Sequence, residues 1–130
     1  MKLNSKKVVV KKSPQALCEF LGDVKNFERL MPESISKFEV IRENAFVFAL
    51  KGMPEIALEV KEINAPNEVV LGAISDKLAF TLTTYITPID ESTSSAEFLF
   101  LGDFNSMMAM MIKSPLTKFI ETLAENLKTI

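Results

Sequence analysis

Side chains that ordinarily do chemistry are sparse in this sequence, and the gaps narrow the possibilities. There is no histidine, which removes the commonest general base and the commonest zinc ligand. A Ser-His-Asp triad, a Cys-His dyad and a HExxH zinc site are all excluded. The single cysteine, Cys18, lies beside the apolar stripe of a predicted helix and reads as an inert buried thiol. Glu59, Glu62, Glu97 and Asp103 fall on predicted strands, where alternation turns most of them to solvent. A buried carboxyl with a raised pKa could move a proton, but no acid-base pair stands out. Tyr85, the only tyrosine, could bond a ligand carbonyl and reads as outward-facing. The four glycines form no phosphate loop, and "LKGMPE" lacks the lysine and hydroxyl pair of one. No catalytic residue, metal ligand or cofactor is assigned.

The unusual stretch is "FNSMMAMMIKSPL", residues 104 to 116, which holds four of the seven methionines: Met107, Met108, Met110 and Met111. Methionine is unbranched and polarizable, and it fills irregular space. Three readings stay open. The methionines are a core helix end under a covering loop, the lining of an adaptable pocket, or an exposed patch used for association.

Charge and composition exclude further classes. Fifteen basic against seventeen acidic residues leave a net charge of −2, and no broad basic patch suggests nucleic-acid binding. Lys2, Lys6, Lys7, Lys11 and Lys12 are interspersed with apolar residues and read as the solvated ends of an edge strand. "MKLNSKKVVVKK" has no apolar core of a signal peptide, and no run reaches the roughly 18 apolar residues that span a bilayer. A lone cysteine fits a reducing compartment. The expected location is the cytoplasm, and 130 residues fit a single domain spanning 1–130.

These residues are positioned by a simple order of elements. "SKKVVVKK" (5–12) predicts a first strand. In "SPQALCEFLGD", Ser13 is a candidate N-cap with Pro14 at the first helical position, and Gly22 a candidate C-cap. Ala16, Leu17, Phe20 and Leu21 form its apolar stripe. A second short helix starts near Asp23, carries Val24, Phe27, Leu30 and Met31, and stops at Pro32.

From residue 35 the period becomes two. "ISKFEVIRENAFVFALKG" predicts two strands about the turn "REN", and "KGMPE" is the next turn. "IALEVKEI" (56–63), "VVLGAIS" (69–75), "LAFTLTTYITPI" (78–89) and "AEFLFLGDF" (96–104) predict four more, with "DK" a tight connection. From Asn105 to Lys128 the spacing predicts a helix of about 37 Å. Pro115 either kinks it or, capped by Ser114, starts a second one. Asp103 or Asn105 caps its beginning.

The only element long enough to cover the sheet's apolar face is that helix, so the sheet is expected to curl around it. The inward positions expected to share a cavity with it are Phe46, Phe48, Leu58, Leu71, Phe80, Leu82, Phe98 and Phe100, joined from the helix by Met107, Met108, Met111 and Ile112. Ten phenylalanines against one tyrosine make such a space greasy and poor in hydroxyls. It suits an acyl chain, an isoprenoid or a flat aromatic.

This order resembles the helix-grip fold of the START and pollen-allergen-like superfamily, which includes polyketide cyclases and lipid-transfer domains. "SPQALCEFLGDVKNFERLMP" is similar to its opening, and "FNSMMAMMIKSPLTKFIETLAENLKTI" to its long closing helix. The resemblance implies an α+β helix-grip fold. A curved six- to seven-stranded antiparallel sheet wraps a long C-terminal helix, with two short helices after the first strand. It also implies a cavity for hydrophobic small molecules. The tryptophans of the branch that activates a heat-shock ATPase are missing, as are the histidine iron ligands of oxygenase relatives.

Three functions are then expected to compete. The first is a binding or carrier domain for a hydrophobic small molecule. The second is a cyclase or dehydratase that needs an ionisable group in the cavity. The third is an interaction module, including a homodimer, that uses the Met-rich helix start. Partners expected are a hydrophobic small molecule and neither nucleic acid nor an integral membrane segment.

Overall fold

A computed structural model describes residues 1–52, 55–74 and 80–130. The elements run β1 (Lys2–Asn4), β2 (Val8–Val10), α1 (Pro14–Gly22), a 3-10 helix (Val24–Leu30), β3 (Ile35–Arg42), β4 (Ala45–Leu50), β5 (Ile56–Asn64), β6 (Glu68–Ala73), β7 (Phe80–Asp90), β8 (Thr93–Gly102) and α2 (Ser106–Leu127). The strands form one curved antiparallel sheet in the order β1-β8-β7-β6-β5-β4-β3, with β2 also on β8. The expected "DK" connection and Pro54 lie outside the described residues.

Two expectations change at the start of the chain. The strand expected over 5–12 is only β2 (Val8–Val10), and an unexpected short strand, β1 (Lys2–Asn4), precedes it, which brings the sheet to eight strands. The break is at Ser5, whose N–H donates to the Phe98 carbonyl while its Oγ accepts from the Phe98 N–H, each at 2.9 Å. A hydroxyl that replaces a ladder acceptor interrupts the pairing and lets β2 restart further along β8. Gly22, expected as a C-cap, is instead the last residue of α1, and Asp23 both ends α1 and caps the 3-10 helix by accepting from the Lys25 N–H.

The helix starts follow their capping chemistry. Ser13 Oγ accepts from the Ala16 N–H at 3.1 Å, with Pro14 at the first position. Asn105 Oδ1 accepts from the Met108 N–H at 2.8 Å, so of the two capping candidates it is Asn105 that acts. α2 is one continuous helix with Pro115 inside it. Proline has no N–H for the Met111 carbonyl one turn back.

The core lies between the concave face of the sheet and the helices. Phe46, Phe48, Leu58, Leu71, Leu82 and Phe98 meet Leu116, Phe119, Ile120, Leu123 and Leu127 of α2, while Leu17, Leu21 and Phe27 close the far end. In α1, Cys18 is buried and Ala16 is exposed, a one-residue rotation of the expected stripe. A row of phenyl rings runs from the 3-10 helix to α2. Phe27 stacks on Phe46 at 5.3 Å, Phe46 meets Phe48 at 6.0 Å, and Phe48 stacks on Phe119 at 4.9 Å. Ring pairs of this kind add about 0.5–1.5 kcal/mol each beyond area burial.

Candidate functional site

The rear half of α2 is seated in the sheet and its front half is not. Leu116, Phe119, Ile120, Leu123 and Leu127 are buried. Ahead of them, Met107, Met110 and Met111 are 75%, 82% and 67% exposed. From this half Met108, Ala109 and Ile112 turn inward, and all three are half-buried. The change comes at Pro115, where the missing hydrogen bond leaves the helix least braced.

Under that transition lies a cavity of about 70 Å³, lined by Phe48, Ile56, Leu58, Phe80, Leu82, Phe100, Phe104, Met108, Ile112, Leu116 and Phe119. Every one of these side chains is apolar. A second ring cluster forms its outer wall, with Phe80 at 5.1 Å from Phe100 and Phe104 stacked on Phe100 at 6.1 Å. Gly102 makes that wall possible, since a Cβ there would collide with the Phe104 ring. The space would hold a couple of water molecules by volume, but its described lining residues offer them no polar side chain.

Outside the same stretch of α2 runs an open groove of about 650 Å³, bordered by Pro32, Ser34, Leu50, Lys51, Gly52, Met108, Met111, Ile112, Ser114, Pro115, Lys118, Phe119 and Thr122. Gly52, at φ +83°, makes the turn at its rim. Met108, Ile112 and Phe119 belong to both linings. These three side chains of α2 stand between the inner cavity and the groove. Drug-sized ligands occupy about 300–1,000 Å³. The inner space alone is too small for one, and inner space and groove together are large enough.

Phe48, Leu58, Phe80, Leu82, Phe100, Met108 and Ile112, all expected on a cavity wall, line the inner cavity. Phe46, Leu71 and Phe98 point the same way but are fully packed beyond it. Met111 lines only the groove, and Met107 lines neither space. Both were expected inside, and the front half of α2 overhangs the sheet rather than lying in it. Ile56, Phe104, Leu116 and Phe119 were not among the expected lining residues. Leu116 and Phe119 read simply as core. Phe104 read as the end of the last strand, where only the small residue at Gly102 hints that a ring folds back over it.

Among the described residues, no charged side chain lines the cavity. Glu59 lies on the convex face, hydrogen-bonded to Lys61 at 2.6 Å and to Arg42. The Lys61 and Arg42 cations hold its carboxyl below the ordinary value. With Lys37 and Glu55, paired at 2.8 Å, these long side chains sit on the convex side near Ala45, Val47 and Ala49. Glu97 and Tyr85 face each other across β8 and β7, Glu62 and Asp103 are exposed, and Tyr85 is outward-facing. Burial pushes the Cys18 thiol up, which keeps it protonated and unreactive. Among the described residues no cluster of metal-ligating side chains forms, and no helix is long and apolar enough to cross a membrane.

No protein-family model matches the sequence, and no curated protein matches it. Solved structures do match in shape. A norcoclaurine synthase from Thalictrum flavum superposes with a TM-score of 0.74 at 10% identity, over 99% of this chain and 93% of that one. A START superfamily protein from Mycobacterium smegmatis gives 0.69 at 13% identity, over 98% and 94%. The di-domain aromatase/cyclase BexL of the BE-7585A biosynthetic pathway gives 0.69 at 10% identity, over 99% of this chain and 45% of that one. Identities this low speak to architecture alone, and the architecture is clear: a curved antiparallel sheet gripping a long C-terminal helix, the helix-grip fold that these structures share.

Proposed function

We propose that this protein binds a small hydrophobic molecule between its sheet and α2, as a carrier or binding domain rather than a catalyst. The observation that supports this reading is a cavity whose described lining is entirely apolar, under the least braced stretch of α2 and sharing Met108, Ile112 and Phe119 with an open groove. An outward movement of the front half of α2 about Pro115 would join the two spaces. The ligand would then lie along Phe48, Leu58, Phe80, Leu82 and Phe100, beneath Met108 and Ile112. Methionine suits such a wall because it repacks around ligands of different shape.

A norcoclaurine synthase of the same fold holds dopamine and hydroxybenzaldehyde, both small aromatics. The cavity here has no hydroxyl or charge among its described lining residues, which favours a ligand without polar groups: an acyl chain, an isoprenoid or a flat aromatic. The same lining offers no side chain to move a proton, so cyclase chemistry of the kind named for BexL finds no support in it.

The test is a thermal shift of the whole chain against separate panels of fatty acids, isoprenoids and planar aromatics, with native mass spectrometry to identify adducts. A ligand at a hundred times its Kd adds about 2.7 kcal/mol, on the order of 8–10 °C for a domain of this size. A chain that none of the three panels shifts does not have this function.

A further inference from the structure

We propose that the front half of α2 is a membrane-docking surface, which lays Met107, Met110 and Met111 into the interface of an anionic bilayer. The three side chains are among the most exposed large apolar groups of the described residues. At 100° per residue they fall on one arc, opposite the stripe that α2 turns to the sheet. So α2 carries two apolar faces, and the sheet covers only one.

The charge around the patch selects its occupant. Lys118 lies on the same arc, Lys113 is exposed on its flank, and Lys51 faces the arc across the groove beside Met111 and Lys118. Among the described residues none of the three has a carboxylate partner. The helix carries no acid until Glu121. Glu121 and Glu125 are both taken up by Lys6, the first through its backbone N–H at 2.9 Å and the second through its ammonium. Asp103, just before the helix, lines a different concavity with Met1 and Lys2. One carboxylate, Glu33, lies between groove residues Pro32 and Ser34, so the patch remains net positive.

Exposed methionines flanked by lysines match an interfacial amphipathic helix, whose apolar side chains enter the acyl boundary while its cations meet anionic headgroups. A second copy of the chain is a poorer match, because a two-fold contact would set this positive rim against itself. Docking stands apart from cargo binding, since it concerns the outer face of α2 and holds whether or not the inner cavity takes a ligand.

The experiment is sedimentation of the whole chain with vesicles of phosphatidylcholine alone and of phosphatidylcholine mixed with phosphatidylglycerol. Binding is expected to the mixed vesicles only, and to weaken with added salt. Lys113→Gln and Lys118→Gln should each weaken it about fivefold, and Met110→Ser and Met111→Ser each about tenfold. Val9→Ser, which changes an exposed apolar residue on β2, should leave it unchanged. The chain has no tryptophan, so Met110→Trp gives a single indole, excited apart from Tyr85 at long wavelength, whose emission should shift to the blue on the mixed vesicles. The proposal is overturned if the native chain does not sediment with mixed vesicles, or if Val9→Ser loses as much as Met110→Ser. It is equally overturned if light scattering shows a dimer that Met110→Glu dissolves, which would make a second copy the occupant.

Discussion

Replacing Leu82 by alanine should cost more than an average core truncation and should make the protein stabilisable by a small apolar guest. Leu82 is 3% exposed, stands opposite Leu71 on β6 and Phe100 on β8, and touches the cavity. Losing three carbon groups forfeits about 2.4 kcal/mol of transfer free energy at roughly 0.8 kcal/mol each. The space left cannot close by backbone movement, because β7 is hydrogen-bonded to a strand on each side. It merges with the 70 Å³ already empty, and residual cavity costs about 24 cal/mol per Å³. Together these predict a loss of about 3–5 kcal/mol, a large share of the roughly 5–15 kcal/mol that holds a domain folded. Urea denaturation followed by circular dichroism measures it. Repeating the titration with benzene at a hundred times its Kd should return about 2.7 kcal/mol. Leu127→Ala, a fully buried truncation away from the cavity, should lose a comparable amount and recover less. A loss for Leu82→Ala below about 2 kcal/mol, or a guest effect no larger than in Leu127→Ala, would refute the reasoning.

Other expectations follow from the contacts that hold α2 and the surface pairs. Asn126 donates from Nδ2 to the Leu30 carbonyl at 2.8 Å and ties α2 to the 3-10 helix; Asn126→Ala should cost about 1–2 kcal/mol by urea denaturation, and an unchanged midpoint would show the tie to be idle. Gly102→Ala should push the Phe104 ring off Phe100 and destabilise by about 1–3 kcal/mol, visible as altered ring shifts in proton NMR. Glu59 titrates below its ordinary value of 4.5 in the folded chain, chiefly through Lys61 and then Arg42. Its stabilising effect is therefore present above that pH and lost as pH falls through the folded value. Denaturation midpoints of Glu59→Gln and the native chain should differ at neutral pH and converge in acid, and a gap constant with pH would contradict the pairing.

The inward alternation of Phe46, Phe48, Leu58 and Leu82 was legible in the sequence because a strand turns every second side chain to the same face. The caps at Ser13 and Asn105 were legible because local hydrogen bonds need only local spacing. What the sequence could not show was where a helix stops touching a sheet. Met107 and Met111 have the same chemistry as Met108, and it is their phase on the helix, opposite the stripe that continues into Leu116 and Phe119, that turns them outward. The split between β1 and β2 was hidden for a similar reason. Ser5 breaks the first strand through Phe98, a partner supplied from the far end of the chain. Phe104 escaped notice because its role depends on Gly102 and on a ring stack that no one-dimensional period encodes.

The pairing of the first strands with the last also governs how the molecule assembles. Leu3 registers with Phe100 and Val8 with Ala96, so this edge of the sheet cannot zip until nearly the whole chain has been brought back on itself. The remaining neighbours are hairpins that can form early and locally. Closure of the largest loop therefore falls late and sets the pace, which places folding toward the slow end of small mixed domains, on the order of milliseconds to seconds. Until then β8 presents an unpaired edge, and the risk of mispairing with another chain is concentrated in that interval.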